Sequence, residues 1–271
     1  MVRMMDSLNK ILFTHSYFLR FDPKQWSTGQ PYAPLGTLYA ASLMRENKYE
    51  VSFQDSMFAE TPADILPSFE KNRPDFFVIY DDGFNYLTKM CLTNMREAAF
   101  QMIKFAKQKG CTVIVSSSDS TDHFEQYLNE GADFILIGEA EITLLELVNA
   151  ISQHQRDLLP IKGIAFKQNE AVIKTAPRNV MKDLDSLPFP AWDLIDMFRN
   201  TYQPAFYKQL HRYVHKSYRT HIALANIKQL IRTPAATSAT SLKKALSLLY
   251  YAPASFWARQ KLLRLERPLA V

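Results

Sequence analysis

The chain has 271 residues, 47% of them hydrophobic, so it is long enough for one α/β domain with a full core and roughly one further module. No stretch reaches the ~18–20 uninterrupted apolar residues that span a bilayer, and the first residues lack the pattern of a signal peptide, which predicts a cytoplasmic protein. Two cysteines are too few for a disulfide framework or an all-cysteine iron–sulfur site.

The charge is divided unevenly along the chain. Residues 207–271 hold twelve Lys or Arg and one acid, Glu266, for a net charge of +11, which leaves −6 on residues 1–206. We therefore expect two modules of different character.

Five short apolar runs alternate with helical patterns in the first part of the chain. The predicted strands are residues 11–14, 49–53, 76–80, 112–115 and 134–137, and the predicted helices are 35–47, 61–73, 93–109, 122–129 and 141–153. Strands that alternate with helices indicate a doubly wound (flavodoxin-like or Rossmann-like) five-stranded parallel sheet in the order 2-1-3-4-5. This predicts an α/β domain over residues 1–160.

The pattern changes after Pro160. Residues 163–166 and 171–175 flank a polar turn and predict a short hairpin, and the prolines of residues 183–196 predict an extended Leu-Pro-x-Pro strap, so 161–206 form a connecting segment. Residues 207–271 predict a basic helical tail.

Ligands of open α/β sheets bind at the carboxyl ends of the strands, so the loops there are the place for a site. After strand one comes a long loop, residues 15–33; Asp81 follows strand three, residues 116–121 follow strand four, and residues 138–141 follow strand five. Small hydroxyl residues and glycine let backbone approach a large flat ligand. The sequence contains neither a Walker loop nor a G-x-G-x-x-G turn, which disfavours nucleotides.

Five segments together resemble one family. They are residues 34–43 (PLGTLYAASL), Asp55, residues 116–120 (SSSDS), residues 138–141 (GEAE) and residues 184–190 (LDSLPFP). In this order, over residues ~10–196, they look like the amino-terminal cobalamin-binding domain of cobalamin-dependent radical S-adenosylmethionine enzymes, which include methyltransferases and the anaerobic magnesium-protoporphyrin ester cyclase.

The resemblance implies cobalamin as the cofactor and a set of residues that contact it. These are His15, Gly36, Asp55, Asp81, Ser116, Ser117, Ser118, Gly138, Glu139 and Glu141. It implies no catalytic residue and no protein ligand to a metal in this chain.

The sequence also departs from that family. The Cys-x3-Cys-x2-Cys run that binds a four-iron cluster is absent, which predicts a truncated member without its radical barrel, no iron–sulfur cluster in this chain, and cofactor binding without turnover. Whether a separate radical module or a partner chain supplies the cluster stays open at this point. The Asp-x-His-x2-Gly motif for a lower cobalt ligand is absent as well, and Ser117-Ser118 replaces an expected glycine pair.

Each candidate residue also has a purely structural explanation. His15 can simply be hydrogen-bonded, Asp81 can cap the following turn, and Glu141 suits a first helical turn because the helix dipole favours a carboxylate there. Cys91 and Cys111 are expected in or beside the core rather than as nucleophiles.

The basic tail leaves two interpretations open. Its mixed apolar and basic residues can pack as a helical layer on the protein, or they can lie on an anionic membrane surface. His211 and His215 are spaced for a metal, yet no third ligand accompanies them, which favours a solvated face. Nucleic-acid motifs are absent. The alternative function is thus a non-catalytic interaction module that has lost the cofactor and contacts a membrane or partner through 207–271.

Overall fold

The structure is a computed structural model that describes residues 9–28, 34–81, 92–169, 171–183 and 186–195. The chain divides into two compact units, 1–196 and 197–271, and all described residues belong to the first. The basic tail, His211, His215 and Cys91 therefore lie outside the described residues.

One sheet of seven strands forms the centre of the first unit. Its strands are β1 (Lys10–Thr14), β2 (Glu50–Gln54), β3 (Phe76–Tyr80), β4 (Thr112–Ser116), β5 (Phe134–Leu136), β6 (Ile164–Gln168) and β7 (Ala171–Lys174). Their order is β2-β1-β3-β4-β5-β6-β7. The first five in this order pair in parallel, and β6 and β7 extend the sheet in antiparallel fashion.

The prediction of a five-stranded, wholly parallel sheet is therefore wrong for the sheet as a whole. The hairpin β6–β7 joins the sheet rather than standing apart from it. The physical reason is burial: Ile164, Ala165 and Phe166 are buried, and an isolated two-stranded hairpin is only marginally stable in water. Pairing with β5 brings this apolar strand into the sheet and satisfies the backbone groups along the free edge of β5.

Seven α-helices accompany the sheet in the described ranges. They are α1 (Pro23–Thr28), α2 (Leu35–Glu46), α3 (Leu66–Asn72), α4 (Leu92–Gln108), α5 (Ser118–Asp122), α6 (Phe124–Asn129) and α7 (Glu141–Ser152). Short 3-10 turns lie at Leu19–Phe21, Pro62–Ile65 and Trp192–Leu194. None of these helices is long and apolar enough to cross a membrane.

Both faces of the sheet are covered, as doubly wound folds require. Alternate residues of β1 show this: Ile11 and Phe13 belong to the core under α2 and α7, whereas Leu12 belongs to the core under α3, α4 and α6. Each fully buried aliphatic or aromatic side chain contributes about 1.5–3 kcal/mol, so these two layers supply most of the stability. They fix the carboxyl ends of β1–β5 along one edge.

Two loops predicted at that edge contain helix. Residues 15–33 include the 3-10 turn Leu19–Phe21 and helix α1, and the serine-rich segment predicted as a loop before a helix at 122–129 instead forms α5 and then α6. Helix α5 begins early because Ser117 and Ser120 form a reciprocal capping box: Ser120 N–H donates to Ser117 Oγ at 2.8 Å, and Ser117 N–H donates to Ser120 Oγ at 2.9 Å.

Candidate functional site

Polar residues in two hydrogen-bonded groups lie along the carboxyl edge of the parallel strands. We call Asp55, His15, Ser16, Asp81 and Ser116 the edge network. His15 Nε2 lies 2.8 Å from Asp55 Oδ1, so the ends of β1 and β2 are joined by side chains. The ends of β1, β3 and β4 are joined through Asp81.

Asp81 is the centre of this network. Its Oδ1 accepts a hydrogen bond from Ser16 N–H at 2.6 Å, and its Oδ2 accepts one from the Ser16 hydroxyl at 2.7 Å. Asp81 N–H in turn donates to the Ser116 carbonyl at 2.8 Å. Asp81 therefore holds the loop after β1 against the end of β4.

The environment of Asp81 favours its protonated form. Burial raises the pKa of Asp81, and the two hydrogen bonds from Ser16 lower it by less. The carboxylate of Asp119 adds to the increase. A carboxyl group whose pKa is raised by burial is typical of positions that face a ligand.

His15 has a nitrogen without a partner. Its side chain is fully buried, and Nδ1 finds no hydrogen-bond partner among the residues that the structure describes. In a neutral imidazole whose Nε2–H donates to Asp55, Nδ1 is an acceptor, so it is suited to a donor such as an amide N–H. An unsatisfied buried acceptor costs about 1–3 kcal/mol, which a ligand could offset.

Helix α2 brings the predicted residue Gly36 to the same edge. Gly36 lies in the first turn of α2, and the adjacent Thr37 donates from Oγ1 to the Tyr80 carbonyl at 2.6 Å, at the end of β3. Gly36 therefore lies beside the edge network on one side, and Ser117 and Ser118 lie beside it on the other side.

The two serines after β4 have different roles. The Ser117 side chain is occupied by the cap of α5, whereas none of the hydrogen bonds in the described part of the chain involves the Ser118 side chain, which is half-buried. Ser118 is thus the hydroxyl of this pair that is available to a ligand.

Asp119 is a residue of this edge that sequence reasoning missed. Its nearly buried carboxylate accepts from Arg96 at 2.6 and 2.8 Å and from the Tyr127 hydroxyl at 2.8 Å. Burial alone would raise the pKa of Asp119, but Arg96 and Tyr127 outweigh burial and the pKa is lowered. Nothing local marks the pairing, because Arg96 lies 23 positions earlier in the chain.

The residues after β5 form a second group. Gly138 is exposed, has a φ of +84°, and a Cβ built on it would contact nothing within 4 Å, so its backbone faces open space. Glu139 Oε2 accepts from Met181 N–H at 2.8 Å, and Glu141 begins helix α7 as predicted. Both glutamates line a cavity that none of the edge-network residues lines.

Cys111 is buried and its thiol donates to the Pro74 carbonyl at 3.3 Å. Burial raises the pKa of this thiol to about 11, so it is a core residue at neutral pH and not a nucleophile. Within the ranges given above, no group of three or more His, Cys, Asp or Glu side chains is placed to hold a metal ion.

The fold and this edge define a class: a mostly parallel, Rossmann-like α/β domain with a polar carboxyl edge.

No protein-family profile matches the chain. Two curated proteins do. An uncharacterised methyltransferase of Pyrococcus horikoshii is 30% identical over 169 residues, 60% of this chain and 34% of that protein. The anaerobic magnesium-protoporphyrin IX monomethyl ester cyclase of Synechocystis sp. is 26% identical over 174 residues, 62% of this chain and 33% of the cyclase. The chain therefore spans about a third of the length of these relatives.

Solved structures show the same fold. The cobalamin-dependent S-adenosylmethionine radical enzyme OxsB, with aqua-cobalamin and S-adenosylmethionine bound, matches 69% of this chain and 24% of its own, with a TM-score of 0.53 and 17% identity. The radical S-adenosylmethionine methyltransferase TsrM from Kitasatospora setae, with cobalamin and a four-iron, four-sulfur cluster bound, matches 67% of this chain and 31% of its own, with a TM-score of 0.51 and 16% identity. At these identities the likeness concerns the fold.

Proposed function

We propose that the α/β domain binds cobalamin at the carboxyl edge of β1–β5 and is a part of a cobalamin-dependent radical S-adenosylmethionine system. The observation that carries the proposal is the edge network, which leaves the buried Nδ1 of His15 unsatisfied at the edge where ligands of open α/β sheets bind. The fold likeness to OxsB and the matches to a methyltransferase and a cyclase support the choice of ligand.

The residues present fit a corrin. The ring of cobalamin is large and flat, and its rim carries amide side chains that both donate and accept hydrogen bonds. His15 and Asp81 offer acceptors, the Ser118 hydroxyl offers both functions, and Gly138 presents backbone without a side chain in the way. Gly36, Asp55, Ser116 and Ser117 complete the proposed site as its walls and supports. Glu139 and Glu141 belong to the separate cavity.

Bound cobalamin would supply a cobalt centre able to carry a methyl group. The chain's own residues would bind and orient the corrin: Asp55 fixes the His15 ring, and the Asp81–Ser16 pair fixes the loop after β1. We assign no turnover to this chain by itself, because its two cysteines cannot supply a three-cysteine cluster site. A cluster-bearing module would have to complete the reaction.

A bulky substitution at Ser118 tests where the corrin binds. Ser118→Phe places a ring at the open side of the edge network, and we expect it to weaken hydroxocobalamin binding at least about tenfold in an equilibrium titration followed by visible absorbance. Gln108→Phe is the matched control, since Gln108 is exposed at the far end of α4 and should leave the affinity unchanged.

The comparison has clear outcomes. If Ser118→Phe loses hydroxocobalamin affinity and Gln108→Phe does not, the result supports the carboxyl edge as the corrin site. Equal affinities of both variants and the unsubstituted chain would place cobalamin elsewhere and refute the proposed location.

A further inference from the structure

A cavity of about 240 Å³ lies beside the amino end of helix α7. We call it the α7 cavity. Its walls come from the loop after β5, from the turn before β6 and from the segment after β7. The lining residues used below are Glu139, Glu141, Ile142, Lys162, Arg178 and Met181.

Two of the four charged side chains that line the cavity, Arg178 and Glu139, already form contacts within the fold. Arg178 donates from Nε to Thr143 Oγ1 at 2.7 Å, and its guanidinium pairs with both carboxylate oxygens of Glu146. Glu139 accepts from Met181 N–H at 2.8 Å. These contacts close the cavity wall by tying the segment after β7 to helix α7.

The other two charged side chains have no ion-pair partner in the described part of the chain. Glu141 and Lys162 line the same cavity, yet they form no ion pair with each other or with any other residue in the described part of the chain. Opposite charges that line one cavity without pairing with each other can both be satisfied by a single small molecule that carries an anion and a cation.

The size and the remaining lining narrow the class of that molecule. The volume is below the ~300–1,000 Å³ typical of drug-sized ligand sites, and Ile142 and Met181 add an apolar wall. We propose that the α7 cavity binds a small zwitterion, a free α-amino acid with an aliphatic side chain, whose carboxylate pairs with Lys162 and whose ammonium pairs with Glu141. This site is distinct from the proposed corrin site.

Ligands that lack one charge test the proposal on the whole chain. Calorimetric titration with L-leucine is compared with 3-methylbutylamine, which lacks the carboxylate, and with 4-methylpentanoate, which lacks the ammonium. We expect leucine to bind in the millimolar range and each analogue to bind at least about tenfold more weakly. Absence of leucine binding up to its solubility, or equal binding of either analogue, overturns the proposal.

Two variants locate the binding. Lys162→Met and Glu141→Gln should each weaken leucine binding about tenfold. Lys167→Met and Glu125→Gln remove exposed charges that do not line the cavity, so they should leave leucine binding unchanged. Leucine binding that persists in both cavity variants refutes the assignment. Hydroxocobalamin binding should be unaffected in Lys162→Met, Lys167→Met and Glu125→Gln, so that failure of the corrin proposal and failure of the leucine proposal can be told apart.

Discussion

At the scale of single residues, the carboxyl edge holds two acidic side chains with opposite behaviour. Asp81 has a raised pKa because burial outweighs its hydrogen bonds from Ser16, and Asp119 has a lowered pKa because Arg96 and Tyr127 outweigh burial. Asp81 thus weakens the fold when it is ionised, whereas Asp119 strengthens it. Such a cost at Asp81 is typical of a residue retained for binding.

Asp81→Asn should stabilise the domain at neutral pH. A group whose pKa is raised by folding contributes stability below its ordinary pKa and loses that contribution as pH rises through the folded-state pKa. The amide can keep both contacts with Ser16 without a charge, so we expect about 1 kcal/mol more stability than the unsubstituted chain at pH 7 and little difference near pH 4. Urea unfolding at the two pH values measures this. A variant that is less stable by the same amount at both values contradicts the explanation.

Asp119→Asn should destabilise the domain. It leaves the Arg96 guanidinium, 22% exposed, without its anion, which we expect to cost about 2 kcal/mol at pH 7 after allowance for that exposure. Because the pKa of Asp119 is lowered, its contribution is lost as pH falls through the folded-state pKa, and the difference should shrink in acid.

The matched control for Asp119 is Glu70→Gln. Glu70 pairs with Lys109 at the surface, where it is 69% exposed, so this change should leave the free energy of unfolding nearly unchanged. If both substitutions have equal effects in urea titrations at pH 7, the Arg96–Asp119 pair does not have the structural role assigned to it.

At the scale of elements, the junction between the parallel and antiparallel parts of the sheet depends on one glycine. Gly163 has a φ of +78°, its carbonyl accepts from Ile137 N–H at 2.8 Å, and a Cβ there would lie 3.0 Å from the Ile137 carbonyl oxygen. Both the backbone conformation and the space therefore require glycine.

Gly163→Ala should cost about 3 kcal/mol, from positive-φ strain of about 1–2 kcal/mol and the clash with the Ile137 backbone. Gly110→Ala is its control: Gly110 has a φ of +79° with nothing within 4 Å of an added Cβ, so only strain of about 1 kcal/mol is expected. Thermal unfolding of the two variants measures the difference. Equal losses would mean that close packing at the β5–β6 junction contributes nothing.

Periodicity and caps were enough to predict the parallel strands and most helices, because each signal lies within a few residues of the element it defines. Topology predicts that residues following the parallel strands lie along one edge, and the structure places Asp55, His15, Asp81 and Ser116 there; their role in binding a ligand stays a prediction. Pairings between distant positions were not predictable: neither the contact of Ser16 with Asp81, 65 positions apart, nor the addition of β6 to β5 has a local signal.

At the scale of the whole molecule, the described unit is a Rossmann-like α/β fold with a polar carboxyl edge, and the proposed radical chemistry would need more than that edge. The chain spans about a third of those relatives, and the printed sequence contains two cysteines. Both facts agree with the proposal above, in which this domain would hold the corrin and a cluster-bearing module would provide the radical chemistry. The interpretations of residues 207–271 stay predictions.

Cobalamin retention is the most direct measurement of that account. The purified chain is mixed with hydroxocobalamin, passed through a desalting column and examined by visible absorbance, with Ser118→Phe treated in parallel. The account predicts a corrin spectrum that stays with the unsubstituted chain at about one equivalent and is lost from Ser118→Phe. A colourless, folded protein after desalting would contradict it.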